Sequence, residues 1–391
     1  MKIALISPWP PEASGIADYA VLFKQALEES GIEVLNPIPE LYTARTAADI
    51  REAASRVPVN DVDLVHFELG GGRIRHFLLL QELLKQHPDL RVTATIHDPN
   101  RVAWRGWGLG RFEALPRRVQ QALTILTDFY SLRAERRGAA SLRRAVVLTQ
   151  GGARALTLRM HLPDDRVLVI PHGNKDVPYL PPPGGEHIHL LFFGFLYPGK
   201  GIEDLIEAFA LARQQSPAVR QHLRLSIAGG SQPTMLLKTR GDYVTELREK
   251  LRAASLEDCS EVITDIPEDT VPDLFQRHHA LVLPYRDSRK INLLGRFLGA
   301  SGPLAWAIAC GRGALVSDAR ALAEEVASGN GTVFRQRDTK DLAASLINIA
   351  DDPEIVVRWS EAARKLAQER TWRVTGQRFA RLFDEVCRQP V

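Results

Sequence analysis

The chain contains 391 residues, of which 45% are hydrophobic and 25% are charged, and its formal net charge at pH 7 is +3. This length favours two domains, and the composition is typical of a globular protein that builds hydrophobic cores. No run of about 18 apolar residues occurs, which argues against a membrane-spanning helix. Prolines interrupt the first apolar run, so a β-strand explains the N-terminus better than a signal peptide. Three widely separated cysteines without metal-ligand spacing indicate a reducing cytoplasm.

Positive charge is concentrated between Arg101 and Arg144, where ten arginines accompany three acidic residues. Aromatic residues stand among these arginines: Trp104, Trp107, Phe112, Phe129 and Tyr130. A solvated helical face would explain the charge, as would an anionic substrate. The aromatic residues favour a third explanation, contact between residues 101–144 and an anionic membrane surface. No nucleic-acid recognition motif accompanies the patch, and we therefore predict no nucleic-acid partner.

In chain order, the first half alternates short apolar runs with segments of helical periodicity. The predicted strands are residues 2–8, 62–69, 91–97, 145–149 and 166–171, and the first predicted helix is residues 16–30. Strands that are apolar throughout, with helices between them, indicate a parallel sheet that is covered on both faces.

A proline-rich segment, "VPYLPPPGGEHIH" (177–189), separates this half from a second one. After it the alternation resumes, with strands predicted at 189–194, 223–230, 260–265, 280–285, 313–318 and 331–335. Residues 371–388 have the pattern of a final amphipathic helix. We therefore predict an α/β fold of two doubly wound, Rossmann-like parallel-sheet domains that face a cleft. Ligands of such sheets bind beyond the carboxyl ends of the strands.

The loop that opens the second half, Gly194 to Gly201, has the G-x-x-x-x-G-K spacing of a phosphate-binding P-loop. A nucleoside triphosphatase needs a Ser or Thr hydroxyl after the lysine as a magnesium ligand, and Gly201 supplies none. The strand end "ALVLPYRD" does not present the second, acidic ligand directly. The glycines, the start of the following helix and Lys200 can still hold a diphosphate. A tight turn with a solvated Lys200 is the alternative.

Six segments of the chain form a series: "PPEASGIADYA" (10–20), "TIHD" (95–98), "VIPHG" (169–173), "FFGFLYPGKGIEDLIEAFALAR" (192–213), "SGPLAWAIACGRGALVSDARALAEEVASGNG" (301–331) and "TW" (371–372). In this order they resemble retaining GT-B glycosyltransferases of the GT4 type, over almost the whole chain. The resemblance implies an N-terminal acceptor domain (1–178), a proline-rich linker (179–188), a C-terminal nucleotide-sugar donor domain (189–371) and a helix (372–391) that crosses back to the first domain.

The resemblance also implies the activity of a hexosyltransferase-type glycosyltransferase. Such an enzyme would move a sugar from a UDP- or GDP-linked donor to a lipid-linked or polysaccharide acceptor, with retention and without a metal or other cofactor. We expect a role in cell-surface polysaccharide biosynthesis. The expected location is the cytoplasm, with a peripheral position on the inner face of the cell membrane.

Breaking the donor's glycosidic bond leaves negative charge on the diphosphate, and this charge needs preorganised cations and N–H donors. By the resemblance, Lys200 supplies the cation and His97 contacts the transferred sugar, and both are predicted catalytic residues. Gly15 lets a first-domain loop approach the donor, and Ser301 is predicted to cap the donor-binding helix. The other predicted donor-binding residues are Gly194, Phe195, Ile266, Gly302, Pro303, Leu304, and Glu324 or Glu325.

The sequence departs from the family at three positions. Phe195 occupies the place of a usual arginine, and Leu298 and Trp306 occupy the places of two glutamates. We hypothesise that a nearby cation replaces the arginine: Arg286, Arg289, Lys290 or Arg296. The lost acidic pair leaves a second function open, that of a catalytically weakened GT-B protein that binds a sugar nucleotide or supports a partner enzyme. An epimerase lacks support because no matching acid–base group is recognisable, and a dehydrogenase because no G-x-G-x-x-G follows the first strand.

Overall fold

The computed structural model describes residues 1–12, 14–103, 115–230, 243–287 and 298–389. The chain divides into two compact units. The first comprises Met1–Gly173, Arg289–Ala300 and Trp372–Val391, and the second comprises Asn174–Ser288 and Ser301–Thr371. Each unit contains one six-stranded sheet whose neighbouring strands all run parallel. This is the predicted α/β architecture of two Rossmann-like domains.

The sheet of the first unit has the strand order β2-β1-β3-β4-β5-β6. Its strands are β1 (Lys2–Ile6), β2 (Glu33–Leu35), β3 (Leu64–Leu69), β4 (Val92–Ile96), β5 (Arg144–Val147) and β6 (Val167–Val169). The helices that cover it are α1 (Gly15–Glu29), α2 (Ala47–Ser55), α3 (Ile74–Gln86), α4 (Arg117–Leu126), α5 (Asp128–Ala140) and α6 (Gln150–Met160). Two separate hydrophobic clusters line the two faces of this sheet, which is why the inner strands are mostly apolar.

Local sequence sets several of these helix starts. Ser14 caps α1, because its Oγ accepts a hydrogen bond from the N–H of Ala17 at 3.2 Å. Thr46 and Asp49 form a reciprocal capping box at the start of α2. Strand β2 was not predicted, since it has only three residues and begins with an exposed glutamate.

The sheet of the second unit has the order β12-β11-β10-β7-β8-β9. Its strands are β7 (Ile188–Phe193), β8 (Leu223–Ala228), β9 (Ser260–Ile263), β10 (Ala280–Leu283), β11 (Gly313–Ser317) and β12 (Gly331–Phe334). Its helices are α7 (Ile202–Gln215), α8 (Pro217–His222), α9 (Tyr243–Ala253), α10 (Val271–Gln276), α11 (Gly302–Ala309), α12 (Leu322–Glu325), α13 (Thr339–Asp351) and α14 (Glu354–Glu369). This order makes β7, β10 and β11 neighbours, so the loops that follow them meet at one carboxyl edge.

The last helix, α15 (Trp372–Arg388), belongs to the first unit, as the resemblance implies. It packs closely on α1: a Cβ on Gly376 would lie 2.3 Å from the carbonyl oxygen of Ala26. Phe379 and Phe383 are fully buried there, and the ring of Phe379 lies 4.5 Å from that of Phe23. Among the described residues, no helix is long and apolar enough to cross a membrane.

The boundaries of the compact units differ from the predicted ones in two places. The second unit begins at Asn174 instead of after residue 178, because the N–H of Asn174 donates to the carbonyl of Arg370 at 2.6 Å. The first unit includes Leu298–Ala300, which the sequence assigned to the donor domain. Thr149 Oγ1 donates to the Leu298 carbonyl at 2.8 Å, and a Cβ on Gly299 would lie 2.1 Å from the carbonyl oxygen of His97.

The linker segment is fixed to the second unit by the buried guanidinium of Arg312, which is 1% exposed. It donates to the carbonyls of Leu180 and Pro181 at 2.8 and 3.2 Å. It also donates to the carbonyls of Gln276 and His278 at 2.9 and 2.7 Å. A planar donor group of this kind can satisfy several carbonyls at once, so a proline-rich segment without regular structure is still firmly attached.

Candidate functional site

The loop after β7 is built on the end of β8. The N–H of Gly194 donates to the carbonyl of Ala228, and the N–H of Leu196 donates to that of Gly230, both at 3.1 Å. Gly194 has a φ of 136°, and a Cβ on Gly229 would lie 1.8 Å from the Gly194 carbonyl oxygen. Only glycines permit this close approach of two backbones, and the loop is therefore fixed at its first residue.

The structure explains the glycine at the eighth position of the loop. Gly201 has a φ of 78°, and a Cβ there would lie 1.7 Å from the carbonyl oxygen of Pro284. Neither Ser nor Thr fits this position without moving the backbone. The magnesium-binding hydroxyl of a P-loop is thus excluded by the packing of the loop itself, which agrees with the sequence argument against a triphosphatase.

Lys200 lies between two aromatic rings. Its Nζ is 4.0 Å from the ring centroid of Tyr285 and 5.3 Å from that of Tyr197. Burial lowers the pKa of the ammonium to about 8. Within the part of the chain that the structure describes, no carboxylate forms an ion pair with it. A partly buried cation without an anionic partner has a strong electrostatic preference for an anionic ligand.

The start of α11 adjoins this loop, since Pro303 Cγ lies 3.3 Å from where a Cβ on Gly194 would be. Ser301 caps the helix as predicted, and its Oγ accepts from the N–H of Leu304 at 3.4 Å. The N–H of Ser301 donates to Glu325 Oε1 at 3.2 Å, and Pro303 has no N–H. Among residues 301–304, Gly302 is therefore the one whose N–H has no acceptor in the described part of the chain.

The two glutamates predicted as ligands differ in environment. Glu325 is buried, with 7% of its surface exposed, and burial raises the pKa of its carboxyl group to about 8. It is therefore mostly protonated at neutral pH and supports the start of α11. Glu324 is half-buried in the same short helix. Ile266 follows β9 at the same carboxyl edge, where its side chain packs partly against the core.

Three of the departures from the family can be located. Phe195 is half-buried at the tip of the loop. Trp306 is also half-buried, and Lys175 Nζ lies 5.0 Å from its ring centroid. Leu298 is held in the first unit through its carbonyl. Leu298 and Trp306 cannot accept the hydrogen bonds that a carboxylate accepts, and Phe195 cannot donate those of an arginine.

Of the cations proposed to replace the missing arginine, Arg286 is already paired with a carboxylate. Its guanidinium forms a bidentate ion pair with Asp204, in the first turn of α7. Glu203 in the same turn accepts from the Tyr243 hydroxyl at 2.7 Å. These carboxylates already complement the positive end of α7, so α11, which has no acid in its first turn, is the better anion-binding helix. Arg289, Lys290 and Arg296 lie outside the described residues.

In the first unit, His97 follows β4 and is part of a buried polar network. Its Nε2 lies 2.5 Å from Glu68 Oε2, and Glu68 Oε1 lies 3.2 Å from Nε2 of His66. Glu68 and His66 are fully buried. Burial lowers the pKa of His97 to about 4 and raises that of Glu68. The neutral imidazole donates its Nε2–H to Glu68, which leaves Nδ1 as a hydrogen-bond acceptor.

An aromatic cluster encloses the other side of His97. The Tyr19 ring makes an edge contact with it, with centroids 4.7 Å apart. The same ring contacts His172 at 5.2 Å and Trp372 at 4.8 Å. Gly15 begins α1 on the same unit, and a Cβ there would meet nothing within 4 Å. The space next to Gly15 is thus open on the side where its side chain would be.

Sequence reasoning missed Glu68, Tyr285 and Arg320. The signal for Glu68 is in β3, "LVHFEL", where two polar residues interrupt a strand that is otherwise apolar on both faces. The ring of Tyr285 supports Lys200, and the Cζ of Arg320 lies 5.0 Å from the centroid of that ring. Their only sequence signal is that they follow β10 and β11, at the carboxyl edge of the sheet.

The arginine-rich segment is only partly available for binding. Arg101 is 1% exposed and forms ion pairs with Asp128 and Glu135, so it is structural. Arg136 donates to the carbonyl of Arg159 at 2.9 Å. Arg133 and Arg137 are exposed on α5. Large apolar side chains are exposed beside them on α4 and α5: Val119, Ile125, Leu126, Phe129 and Tyr130. Trp104, Trp107 and Phe112 lie outside the described residues.

A comparison with protein families finds a match in the second half of the chain. Residues 182–366 match the family model of glycosyl transferases group 1. The matched residues lie almost wholly in the second unit. This match and the folds of the structural neighbours support the predicted class of enzyme, a glycosyltransferase. No curated protein sequence matches the chain.

Solved structures extend the likeness to both units of the chain. Sucrose-phosphate synthase from Thermosynechococcus elongatus has a TM-score of 0.67 at 18% identity, over 99% of each chain. Anabaena HepE in complex with UDP and glucose has a TM-score of 0.66 at 15% identity, over 98% of this chain and 100% of that one. The E. coli trehalose-6-phosphate structure bound with UDP-2-fluoro glucose has a TM-score of 0.65 at 12% identity, over the full length of both chains. These likenesses show the GT-B fold.

Proposed function

We propose that this protein transfers a sugar from a nucleotide-sugar donor to an acceptor, with retention of configuration and without a metal ion. The observation that carries the proposal is that the loop of Lys200 adjoins the start of α11, where the N–H of Gly302 lies, at one carboxyl edge of the second sheet. The lysine has no carboxylate partner among the described residues, and the loop that carries it is fixed by glycines. A diphosphate fits both the charge and the geometry of these groups.

In the proposed reaction, the bond between the anomeric carbon and the diphosphate oxygen breaks, and the electron pair leaves with the diphosphate. An acceptor hydroxyl forms the new bond on the same face of the sugar, and its proton passes to the departing phosphate oxygen. Lys200 and the Gly302 N–H stabilise the charge that develops on the leaving group. His97, with Nδ1 as an acceptor, binds a hydroxyl of the transferred sugar.

The donor is proposed to be a UDP- or GDP-sugar. Two neighbours support the uridine form, since HepE forms a complex with UDP and glucose and the E. coli protein is bound with UDP-2-fluoro glucose. The proposed acceptor is lipid-linked or polysaccharide, in cell-surface polysaccharide biosynthesis.

A panel of UDP- and GDP-sugars tests the activity. We expect donor-dependent release of the nucleoside diphosphate, and Lys200→Ala should lower turnover by about 100-fold because one preorganised donor is lost. Lys340→Ala is the matched control, since this lysine is exposed on α13 of the same unit. Turnover that is equal in both variants would contradict the assignment of Lys200.

A catalytically weakened protein that binds a sugar nucleotide, or supports a partner enzyme, is the second candidate. The observation that favours it is that Leu298 and Trp306 stand where the family has glutamates. The two candidates differ in one measurement, because the weakened protein would bind a UDP- or GDP-sugar without releasing the nucleoside diphosphate, even with lipid-linked acceptors present.

We further propose that α4 and α5 place the protein on the inner face of the cell membrane. Leu126 is 78% exposed, Phe129 is 67% exposed and Tyr130 is 63% exposed, next to the exposed Arg133 and Arg137. Apolar and aromatic side chains beside cationic ones fit the headgroup region of an anionic bilayer. This position would bring the enzyme to a lipid-linked acceptor.

Co-sedimentation with vesicles that contain phosphatidylglycerol tests the membrane proposal. The combined Leu126→Ser and Phe129→Ser variant should lose most of its binding, and vesicles of phosphatidylcholine alone should bind the unaltered protein weakly. Leu180→Ser serves as the control, because Leu180 is an exposed apolar side chain of the other unit. Equal binding by all three proteins would overturn the proposal.

A further inference from the structure

Position 195 holds Phe195 in place of the usual arginine, and Lys200 is the cation that the sequence assigns to the diphosphate. Arg286 is neutralised by Asp204. A different cation nevertheless faces the same aromatic ring as Lys200. The Cζ of Arg320 lies 5.0 Å from the centroid of Tyr285, and Lys200 Nζ lies 4.0 Å from that centroid.

Arg320 is held at this place by its backbone. It follows β11 in the left-handed conformation, with a φ of 55°. Its N–H donates to Asp287 Oδ1 at 3.1 Å, and the N–H of Asp287 donates to Gln336 Oε1 at 2.7 Å. Left-handed backbone favours glycine, so a long cationic side chain here is conformationally costly.

The electrostatics of the cluster point to an anion. The positive charge of Arg320 contributes to the lowered pKa of Lys200, which shows that the two cations repel each other. In the described part of the chain, the guanidinium of Arg320 forms no ion pair with a carboxylate, and neither does Lys200. Two cations that share one ring and have no anion between them are destabilising unless a ligand neutralises both.

We infer that Arg320 is the second diphosphate-binding cation of this site, in place of the arginine that Phe195 replaces. The inference rests on the proposed function, because the ligand is the diphosphate of a nucleotide-sugar donor. The guanidinium donates to the diphosphate oxygens from the β11 side of the site, and Lys200 neutralises them from the β7 side. Tyr285 follows β10, and β10 lies between these two strands in the sheet.

Calorimetric titration with UDP, GDP and the corresponding nucleosides tests this assignment. Arg320→Ala should weaken the binding of the preferred diphosphate by about 10- to 100-fold, the loss expected for hydrogen bonds to a charged group, and should leave nucleoside binding unchanged. Arg320→Gly should show the same loss, although it relieves the left-handed strain and keeps the fold stable. Arg277→Ala is the control, because Arg277 is an exposed arginine of the same unit.

A second readout does not depend on turnover. Removal of Arg320 should raise the pKa of Lys200, so diphosphate binding by Arg320→Ala should persist to higher pH than binding by the unaltered protein. Unchanged affinity in Arg320→Ala, with a loss in Lys200→Ala, overturns the inference and leaves the proposed function in place. Weakened binding in both variants, without turnover of any donor, supports the inference and overturns the proposed transfer. Failure of the unaltered protein to bind UDP or GDP overturns both.

Discussion

The ammonium of Lys200 is subject to opposing effects, since burial disfavours its charge and the proposed ligand requires it. Its pKa is lowered to about 8, so the free protein carries the charge at pH 7 and has mostly lost it at pH 9. A bound diphosphate favours the charged form, and binding above pH 8 must therefore be accompanied by proton uptake. We expect the dissociation constant for UDP or GDP to rise about tenfold between pH 7 and pH 9.

Titration calorimetry in two buffers of different ionisation enthalpy would measure both the affinity and the proton uptake. Lys200→Arg provides the comparison, because a guanidinium keeps its charge throughout this range and its binding should stay nearly constant. Equal pH dependence in the two proteins would mean that another group, and not Lys200, controls the binding.

A second prediction at the residue scale concerns Glu68, which touches His97 and not the proposed substrate. It is a positioning residue, since its carboxylate fixes the imidazole with Nε2–H toward the interior and Nδ1 as the acceptor. Glu68→Leu should lower kcat/KM by about 10- to 100-fold through loss of this orientation. Nitrogen-15 NMR of His97 should report the Nε2–H tautomer in the unaltered protein and a mixture in the variant.

Glu68→Gln separates orientation from simple loss of structure, because its carbonyl can still accept the Nε2–H and should restore most of the activity. Glu52→Leu, at an exposed position on α2, controls for the change of a glutamate to leucine. An Nδ1–H tautomer in the unaltered protein would rule out the assigned role of Glu68.

Some of these residues were predictable and others were not, and sequence separation explains the difference. Lys200 and Ser301 belong to local patterns, a glycine loop and a helix start, whose geometry depends on a few neighbouring residues. The contact between His97 and Glu68 joins residues 29 positions apart, and the ion pair of Arg286 with Asp204 joins residues 82 positions apart. Such pairs follow from the strand order, which the apolar runs do not specify.

At the scale of elements, the packing of the loop at Gly201 predicts the result of restoring the P-loop. Gly201→Ser should lower the free energy of unfolding by about 2 to 4 kcal/mol and should confer no triphosphatase activity, because the side chain meets the Pro284 carbonyl. Gly199→Ser is the matched comparison. Gly199 also has a positive φ, of 103°, but a Cβ there meets nothing within 4 Å.

Urea unfolding of both variants measures the two contributions separately. The cost of Gly199→Ser should be limited to the backbone strain, about 1 to 2 kcal/mol. The additional cost of Gly201→Ser is then the effect of the close approach to β10. Similar losses in the two variants would show that the loop can move away from Pro284.

The strands themselves illustrate what an apolar run can predict. Strand β3 and strand β7 are central and bury most of their residues, so apolar residues predominate in both, with His66, Glu68 and His189 as the polar exceptions. Strand β2 has three residues at the sheet edge and pairs with β1 alone, so its formation depends on β1 more than on its own sequence. The sequence therefore identifies central strands more readily than edges.

At the scale of the whole molecule, the proline-rich segment marked the division of the chain only approximately. Backbone hydrogen bonds decide the boundary, and these join Asn174 to Arg370, almost two hundred residues away. Likewise, Leu298–Ala300 lie between two segments of the second unit along the chain, but they pack in the first unit against Thr149 and His97. Composition can place a linker, but it cannot show which of two units a neighbouring segment packs against.

Buried ionisable groups in both units predict how stability depends on pH. Six histidines of the described residues have lowered pKa values, in most cases because of burial: His76, His97, His172, His189, His278 and His279. The unfolded chain binds protons at these sites near pH 6.5, whereas the folded chain does not. Stability is therefore lost as the pH falls below 6.5, by at most about 1.4 kcal/mol per pH unit for each of the four histidines whose folded pKa is about 3 or 4: His76, His97, His172 and His279.

Glu325 has the opposite effect. Its folded pKa, about 8, lies above the ordinary value of 4.5, so its contribution to stability is complete below pH 4.5 and is lost as the pH rises to 8. At pH 6.5 the histidines outweigh Glu325, and Lys200, whose pKa is lowered to about 8, opposes Glu325 at higher pH. The free energy of unfolding should therefore rise steeply from pH 5 to pH 6.5 and level off above pH 7, as measured by scanning calorimetry. Glu325→Gln keeps the acceptor for the Ser301 N–H and should gain stability relative to the unaltered protein as the pH rises from 5 to 8. If the difference between the two proteins does not change with pH, then Glu325 is ionised in the folded state, and the start of α11 carries a negative charge that would oppose diphosphate binding.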